Sequence, residues 1–362
     1  MKKMLISLLA GITISAVGLY LAFRNVPFSD LILYLGSVNY FWIIPAVLAS
    51  LASFIFRALR WQVILDSARE TSRSWPGIPL WYGFHVLMIG FMLNCVLPGR
   101  LGEVARPAIL QKRDNVPFST GLATVAGERV ADLLVLITLF AIVFSTVQID
   151  PDLTIAFGEY QLNRETLEMI GGGMIKLMVI MLAGIIMVSF SATRQVINGG
   201  IMGIPSLFFF AGYDFKQSIR EKICTVLVGF VENVASGFAL VRSPKKTMLC
   251  MGLSVIIWGI QAFSYYIVSL GCPGIELSYP HIIAVMLIIC FFIALPSVPG
   301  YWGIWEAGGV FALGLFGISA KDGAGFTLIN HAVQVFPVII AGLVSAMIIG
   351  VNIWQISYEK GV

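Results

Sequence analysis

The sequence predicts an all-α, polytopic integral membrane bundle with about six full spans and two re-entrant hairpins of broken helices, arranged as an inverted repeat. Of the 362 residues, 58% are hydrophobic and only 12% are charged, whereas about a quarter of a soluble domain is charged. Several apolar stretches reach the length of about 20 residues that a bilayer requires. Two further apolar stretches, 80–111 and 281–318, are each interrupted by Pro and Gly.

The first span begins after Lys2 and Lys3. A basic start resembles a secretory signal peptide, but the length of the apolar run and the lack of a cleavage site of small residues favour a retained helix. A linker at 193–212 separates two pseudo-repeat halves, about 1–192 and 213–362. The six spans are predicted at 4–23, 41–58, 120–148, 171–192, 247–270 and 327–354.

Lys and Arg in short loops predict the orientation, because they are enriched on the cytoplasmic side. The loop 149–170 is acidic, and basic residues cluster in three other segments, which are 57–79, 98–117 and 193–246. These charges agree on one layout only if 80–111 enters the bilayer from the cytoplasm and returns to it. The same counting makes 281–318 a hairpin that enters from the outside. We therefore expect a prokaryotic cytoplasmic membrane protein with both termini in the cytoplasm.

Residues 213–243 carry apolar side chains at helical spacing and polar side chains on the other faces. This pattern favours an amphipathic helix that lies on the cytoplasmic surface. A seventh span is the alternative, and it would invert the layout of everything that follows.

Both hairpins break at a similar pattern, Pro-Gly-x-x-Gly with a glutamate shortly after it. Matching interruptions in two halves of a membrane chain point to a transporter site. Backbone groups freed by a break are tolerated in lipid only where they are buried in protein or line a cavity. The residues of the breaks are Pro98, Gly99 and Gly102 in the first hairpin, and Pro296, Pro299, Gly300 and Gly303 in the second.

Arg100 and Arg106 flank the first break. An arginine deep in a bilayer costs at least about 2.5–3.5 kcal/mol, which suggests that it has a partner or a ligand. Its planar fork suits phosphate, and the free N–H groups of a helix that starts at the break also face an anion. The alternative is that both are ordinary cytoplasmic charges that anchor the hairpin.

Glu103 and Glu306 each fall in the first turn after a break. A glutamate near a helix N-terminus contributes about 0.3–1 kcal/mol. The other interpretation is that each pairs with an arginine or takes up a proton, since burial raises the pKa of a carboxyl group. Asn94, one turn before the first break, is a candidate to satisfy carbonyls freed by Pro98.

The segment 118–148 holds Glu128, Arg129 and Asp132 before its apolar run. Arg129 and Asp132 are three residues apart and share a helix face, whereas Glu128 would point toward Arg100 or Arg106. Structural ion pairing is expected for all three, with substrate binding as the alternative.

Three residues, Arg57, Arg60 and Trp61, close the second predicted span and are expected to anchor it at the cytoplasmic interface. Contact with a lipid headgroup is the alternative for them. The three histidines, at 85, 281 and 331, are isolated and are expected to be packed or interfacial. The five cysteines have no metal-ligand spacing and are expected to be packing residues.

Several chemistries have no motif in this chain. It lacks the phosphate-binding loop of an ATPase, His-Glu-x-x-His and Gly-x-Ser-x-Gly. We expect no cofactor, no metal and no enzymatic activity. The net charge of +4 is modest and gives no indication of nucleic acid as a partner. The oligomeric state is not predicted.

The run from Asn94 to Arg106 resembles the membrane region of lysylphosphatidylglycerol synthases, and in particular its stand-alone, flippase-like members. The resemblance extends to Arg57–Trp61, Glu128–Asp132 and Leu295–Glu306, and it covers nearly the whole chain. It implies movement of lipid between leaflets. Because the sequence ends soon after its last predicted span, it also implies translocation without aminoacyl transfer.

The leading hypothesis is therefore a flippase-like transporter that moves a lipid with a phosphate headgroup, either an anionic phospholipid or a polyprenyl phosphate. The substrate-binding candidates are Asn94, Arg100, Glu103, Arg106, Glu128, Arg129, Asp132 and Glu306. One alternative is an intramembrane transferase that acts on a lipid-linked substrate. Another is a non-catalytic membrane partner of a separate lipid-modifying enzyme.

Overall fold

The chain folds as a bundle of α-helices, and the predicted all-α class is confirmed. The computed structural model describes residues 2–24, 26–72, 75–146, 155–157, 160–162, 187–208, 212–295 and 298–351, with a few isolated positions between 172 and 184. The strands β1 (Ile155–Phe157) and β2 (Tyr160–Leu162) pair with each other in a short antiparallel hairpin.

The helices are, in chain order, α1 (Lys2–Phe23), α2 (Phe28–Ser37), α3 (Ile43–Ser72), α4 (Leu80–Val96), α5 (Leu101–Asp114), α6 (Phe118–Thr146), α7 (Ser191–Gly203), α8 (Tyr213–Ile219), α9 (Thr225–Gly237), α10 (Pro244–Gly271), α11 (Tyr279–Phe292), α12 (Ile304–Gly314) and α13 (Ala320–Ile348). Short 3-10 turns occupy Tyr40–Trp42, Pro98–Arg100, Ile204–Leu207, Ala239–Arg242 and Pro299–Tyr301, and a π-helical turn, Arg220–Cys224, joins α8 to α9.

Five of the six predicted spans lie on long helices, namely α1, α3, α6, α10 and α13. The largest difference is at α3, which continues to Ser72 although the span was predicted to end at residue 58. Most of the sixth predicted span, 171–192, lies outside the described residues. The segment 213–243 is helical, with a π-helical turn at Arg220–Cys224, and its position relative to a membrane stays a prediction.

Three helical stretches in the described residues are long and apolar enough to cross a membrane. They are Tyr40–Glu70, Pro244–Gly271 and Ala320–Ile348. The bent pair of Gly11–Phe23 and Phe28–Ser37 would make a fourth if it formed one span. The protein is therefore a membrane protein with a helical bundle.

Each predicted hairpin is a helix, a break and a second helix packed back against the first. In the first hairpin, α4 and α5 approach so closely that a Cβ on Gly102 would overlap the backbone carbonyl of Gly90. Small residues at helix interfaces allow this close backbone approach. In the second hairpin, α12 packs on α11, where Gly308 lies against the ring of Phe292.

Two large apolar clusters surround the two breaks. One is built mainly from α10, α11, α12 and α13, and the other mainly from α3, α4, α5 and the end of α13. The helix α1 closes the second break from the side, where the backbone N–H of Val298 donates to Oγ of Ser15 at 3.1 Å. The fold therefore brings both breaks to one bundle, in which Gly300 of the second break is buried and Gly99 of the first is exposed.

Candidate functional site

The two breaks share an unusual backbone conformation. Gly99 and Gly300 have φ of 75° and 74°, and the residue after each glycine is also left-handed, with φ of 55° at Arg100 and 63° at Tyr301. A non-glycine residue in this region costs about 1–2 kcal/mol. Such strain persists only where the surrounding structure enforces it, and it is concentrated at functional sites.

The breaks also touch each other. Nη2 of Arg100 donates a hydrogen bond to the carbonyl oxygen of Ile293, at the end of α11, at 3.1 Å. A Cβ on Gly300 would lie 3.5 Å from the carbonyl oxygen of Cys95, in the last turn of α4. Each break therefore helps to position the other.

Beside the first break lies a group that we call the arginine–carboxylate cluster, which comprises Arg57, Arg60, Arg100, Arg106, Arg129, Glu103, Glu128 and Asp132. Five arginines face three carboxylates, which leaves a net charge of +2 when all are ionised. Helices α3, α5 and α6 contribute most of the members. The cluster has a buried part and a more exposed part.

Arg60 and Asp132 form the innermost pair. Nη1 of Arg60 lies 2.6 Å from Oδ1 of Asp132, and Nη2 donates to Oδ2 at 3.3 Å, so the contact is bidentate. Arg60 also donates to Oγ of Ser254, and Nε1 of Trp258 donates to Asp132 at 3.0 Å. Both hydroxyl and indole come from α10, which therefore completes this ion pair.

Arg106 and Glu128 form a second buried pair with unsatisfied atoms. Nη1 of Arg106 lies 2.6 Å from Oε2 of Glu128, and the guanidinium stacks 3.9 Å from the ring centroid of Trp61. Oε1 of Glu128, and Nε and Nη2 of Arg106, are buried without a hydrogen-bond partner among the described residues.

Arg57 is a buried cation, 6% exposed, and in the described part of the chain it has no carboxylate within ion-pair distance. Its guanidinium carbon lies between 5.4 and 5.6 Å from the ring centroids of Phe54, Phe91 and Trp258. Aromatic faces attract a cation by about 2 kcal/mol when it is desolvated. Rings alone do not neutralise its charge.

Arg100, Glu103 and Arg129 form the more exposed part, with side chains 40%, 24% and 35% exposed. Oε1 of Glu103 lies 3.9 Å from Arg100 and 3.7 Å from Arg129. Arg129 also lies 3.5 Å from Asp132, which confirms the predicted contact on one helix face. These distances are longer than the 2.6 Å of the two buried pairs.

A second buried group lies under the second break. Oε1 of Glu306 is 2.5 Å from Nδ1 of His331, and both side chains are fully buried. Oε2 of Glu306 accepts the backbone N–H of Gly303 at 2.7 Å, which caps α12. Nε2 of His331 lies 2.7 Å from the carbonyl oxygen of Gly300.

Four predictions need correction. Arg57, Arg60 and Trp61 do not end a span at the interface, because α3 continues beyond them and all three are buried. Gly102 lies in the first turn of α5, so the first break ends before it. The other corrections concern Asn94 and His331.

Among the described residues no hydrogen bond runs from the amide nitrogen of Asn94 to a carbonyl of the first break, and its Oδ1 is buried beside Gly102 without a donor. His331 is packed, as expected, but it is not isolated from other polar groups. Pro296 lies outside the described residues. The other predicted break residues, Pro98, Gly99, Pro299, Gly300 and Gly303, lie in or at the end of a break.

Sequence reasoning missed the roles of Arg57, Arg60, Trp258 and His331. One signal was available, since Arg57, Arg60 and Trp61 fall at positions i, i+3 and i+4 and therefore share a helix face. Among the described residues, no group of three or more His, Cys, Asp or Glu side chains is arranged to hold a metal ion.

The comparisons with known proteins give a family and a distant relative. The family described as "Lysylphosphatidylglycerol synthase TM region" matches residues 8–342. A protein of Haloferax volcanii named Glycosyltransferase AglD is 23% identical over 371 aligned positions, which cover 96% of this chain and 55% of that protein. The chain thus spans about half the length of this relative. No solved structure matches the chain.

The relative contradicts the prediction that the protein is not an enzyme, because it is named a glycosyltransferase. That prediction depended on the absence of soluble-enzyme motifs, which an intramembrane site does not require. The comparisons support a membrane protein connected with lipids.

Proposed function

This chain belongs to the lysylphosphatidylglycerol synthase TM-region family, and on that premise we propose that it binds the phosphate headgroup of a membrane lipid and carries it between leaflets. The headgroup site is the arginine–carboxylate cluster beside the two helix breaks. The observation that supports this most directly is the net positive charge of the cluster, of which the buried members, three arginines against two carboxylates, carry +1. Loosely paired Arg100 and Arg129 receive the headgroup, and the buried arginines hold it.

The charge of the cluster favours a headgroup that carries two negative charges. An uncompensated buried charge costs several kcal/mol, and Arg57 has no carboxylate within ion-pair distance in the described structure. A phosphate monoester or a diphosphate, as in polyprenyl phosphates, would neutralise a net charge of +2. A phosphodiester lipid with one negative charge would leave part of this positive charge uncompensated.

The unsatisfied atoms support the same ligand. Nε of Arg57 and two nitrogens of Arg106 are buried donors without acceptors among the described residues. Phosphate oxygens accept charge-assisted hydrogen bonds from guanidinium groups, and these bonds are about twice as strong as neutral ones. Asn94 and Glu128 complete the polar surroundings of the headgroup.

The proposed path uses the arrangement of hairpins predicted from the sequence. The hairpin of α4 and α5 enters from the cytoplasmic leaflet and that of α11 and α12 enters from the other, within halves at about 1–192 and 213–362. The shared left-handed conformation at Gly99 and Gly300 supports such a repeat. In this layout the protein lies in a prokaryotic cytoplasmic membrane with both termini in the cytoplasm.

The second candidate is transfer of a glycosyl group to or from a lipid-linked phosphate, which the similarity to Glycosyltransferase AglD favours. Both candidates use the same headgroup site. They differ in the product, because transfer changes the mass of the lipid and movement does not. A separate lipid-modifying enzyme as partner stays a further proposal, and co-purification from the native membrane tests it.

The test measures the rate at which a fluorescent polyprenyl phosphate moves between leaflets in vesicles that contain the purified protein. The same rate is measured for a fluorescent phosphodiester lipid, and the two rates are compared. We expect Arg57→Leu to slow the movement of the phosphate monoester lipid about tenfold, since a hydrogen bond to a charged group contributes about 1.5–3 kcal/mol. The matched control is Arg24→Leu, at an exposed arginine after α1, which should behave as wild type.

Unchanged movement in Arg57→Leu would contradict the proposed site. Equal rates for the monoester and the phosphodiester would contradict the proposed headgroup class. Mass spectrometry of the lipids, with a nucleotide-activated sugar added, decides between the candidates. A sugar-sized mass increase that requires the protein would establish glycosyl transfer, and no change would leave movement as the function.

A further inference from the structure

His331 lies between two groups that accept hydrogen bonds. Its Nε2 is 2.7 Å from the carbonyl oxygen of Gly300, and its Nδ1 is 2.5 Å from Oε1 of Glu306. A carbonyl oxygen cannot donate, so Nε2 must carry a hydrogen. The other oxygen of Glu306 is already an acceptor for the N–H of Gly303.

These contacts require one additional proton between Nδ1 and Oε1. Either the imidazole is a cation beside a carboxylate, or a neutral imidazole accepts from a protonated carboxyl group. Without that proton, a single ring hydrogen must serve two acceptors. In one of the two contacts of His331, two lone pairs then point at each other. The buried carboxylate of Glu306 also loses its countercharge.

We propose that His331 and Glu306 form a proton-binding site that latches the second helix break. With the proton bound, His331 ties Gly300 to α13, and Glu306 ties Gly303 to α12. When the proton leaves to water, the contact with Gly300 or with Glu306 is lost. Because Gly300 holds a left-handed conformation, the break then relaxes toward other conformations.

Two aromatic rings pack directly against His331. Trp305 stacks on His331 with centroids 4.6 Å apart and planes at 3°, and Trp302 lies 4.5 Å away. Within the described residues, the ion pair of Glu306 and His331 involves no other charged group. Among the described residues, the neighbouring elements bring phenol and thiol groups, which are Tyr34 of α2, Cys95 of α4, Tyr265 of α10, Cys290 of α11 and Tyr301 of the break, and the charged Arg100 lies at the Ile293 end of the same break.

The latch reaches the arginine–carboxylate cluster through the contact between the breaks. Gly300 packs at the Cys95 carbonyl, and Arg100 donates to Ile293 at the other end of the same break. Relaxation of the second break therefore changes the position of Arg100. Where the proposed function holds, lipid movement depends on the proton, and this dependence is the part of the inference that rests on that function.

Hydrogen exchange of the peptide 298–303, measured between about pH 5 and about pH 9, tests the latch without any lipid. Wild type should exchange about tenfold faster at high pH than its intrinsic rates explain, since loss of a buried polar partner is worth about 1–3 kcal/mol. Glu306→Gln should abolish this change, because a glutamine amide donates to the Nδ1 of a neutral His331 and its oxygen still accepts from Gly303. His331→Ala should exchange fast at every pH.

The matched control is Glu232→Gln, which changes an exposed carboxylate that pairs with Arg194 and should keep the wild-type pH dependence. A Glu306→Gln protein that keeps this dependence, or that exchanges as fast as His331→Ala, would overturn the proposal. A pH gradient across the vesicles should alter lipid movement in wild type but not in Glu306→Gln. If exchange depends on pH and no lipid moves, the latch stands and the transport function fails.

Discussion

Arg100 donates a hydrogen bond to the carbonyl oxygen of Ile293, so a residue of the first break satisfies a backbone group freed at the second. The two residues are 193 positions apart in the sequence. An unpaired carbonyl inside a membrane protein costs several kcal/mol. This one bond therefore makes the stability of each break depend on the other, and it places a half-exposed cation between them.

The strain at Arg100 can be separated from its contacts. Arg100→Gly removes the side chain and also the cost of its left-handed φ of 55°, whereas Arg100→Ala removes only the side chain. We expect the glycine variant to be more stable than the alanine variant by about 1 kcal/mol, with lipid retention reduced equally in both. Thermal unfolding in detergent and mass spectrometry of retained lipid measure these effects. An Arg100→Ala variant that is more stable than Arg100→Gly would show that the backbone at this position is not strained.

The close approach of α4 and α5 predicts different costs for two glycines. Gly102→Ala places a Cβ against the backbone of Gly90 and should cost about 1–3 kcal/mol or more. Gly99→Ala meets no atom within 4 Å and should cost only the left-handed penalty, about 1 kcal/mol. Unfolding midpoints compare them directly. A larger loss in Gly99→Ala than in Gly102→Ala would show that the hairpin packs differently.

The ion pair of Arg60 and Asp132 should matter most when only one partner is removed. Arg60→Leu removes the bidentate partner of the buried Asp132, which keeps only Arg129 at 3.5 Å and the indole of Trp258, and should destabilise the protein by about 3–5 kcal/mol. The double variant Arg60→Leu, Asp132→Leu should regain a large part of this loss. A double-mutant cycle with both single variants gives the coupling, and a value near zero would mean that the pair is not formed.

Replacing Arg106 with lysine should make the protein less stable. Its planar guanidinium stacks on Trp61 while one nitrogen reaches Glu128, and an ammonium group cannot do both. Arg106→Lys should lower the unfolding free energy by about 1–2 kcal/mol. Arg24→Lys, at an exposed arginine, is the control. Equal unfolding midpoints for wild type and Arg106→Lys would show that stacking contributes nothing.

The helices and breaks could be predicted because their signals are local. Apolar length placed the ends of α10 within three residues and those of α13 within seven, and the Pro-Gly pairs located both breaks. The pairing of Glu128 with Arg106 could also be predicted, because few cations were available to Glu128. The spacing of Arg57, Arg60 and Trp61 showed one helix face but not whether that face is buried.

What could not be predicted depends on contacts between distant segments. Arg60 is buried because α10 brings Ser254 and Trp258 to it, and local sequence carries no information about that neighbour. His331 meets Glu306 only because α13 folds back along α12. The charge balance of the cluster follows from these pairings, so it emerges only in the folded chain.

The seal that α1 makes at the second break has a practical consequence for handling the protein. Ser15 accepts the N–H of Val298, and Gly18 lies against the backbone of Gly303. Deleting α1 to improve expression would therefore remove the contacts that hold the second break in place. Purification tags are better attached after α13 than before α1.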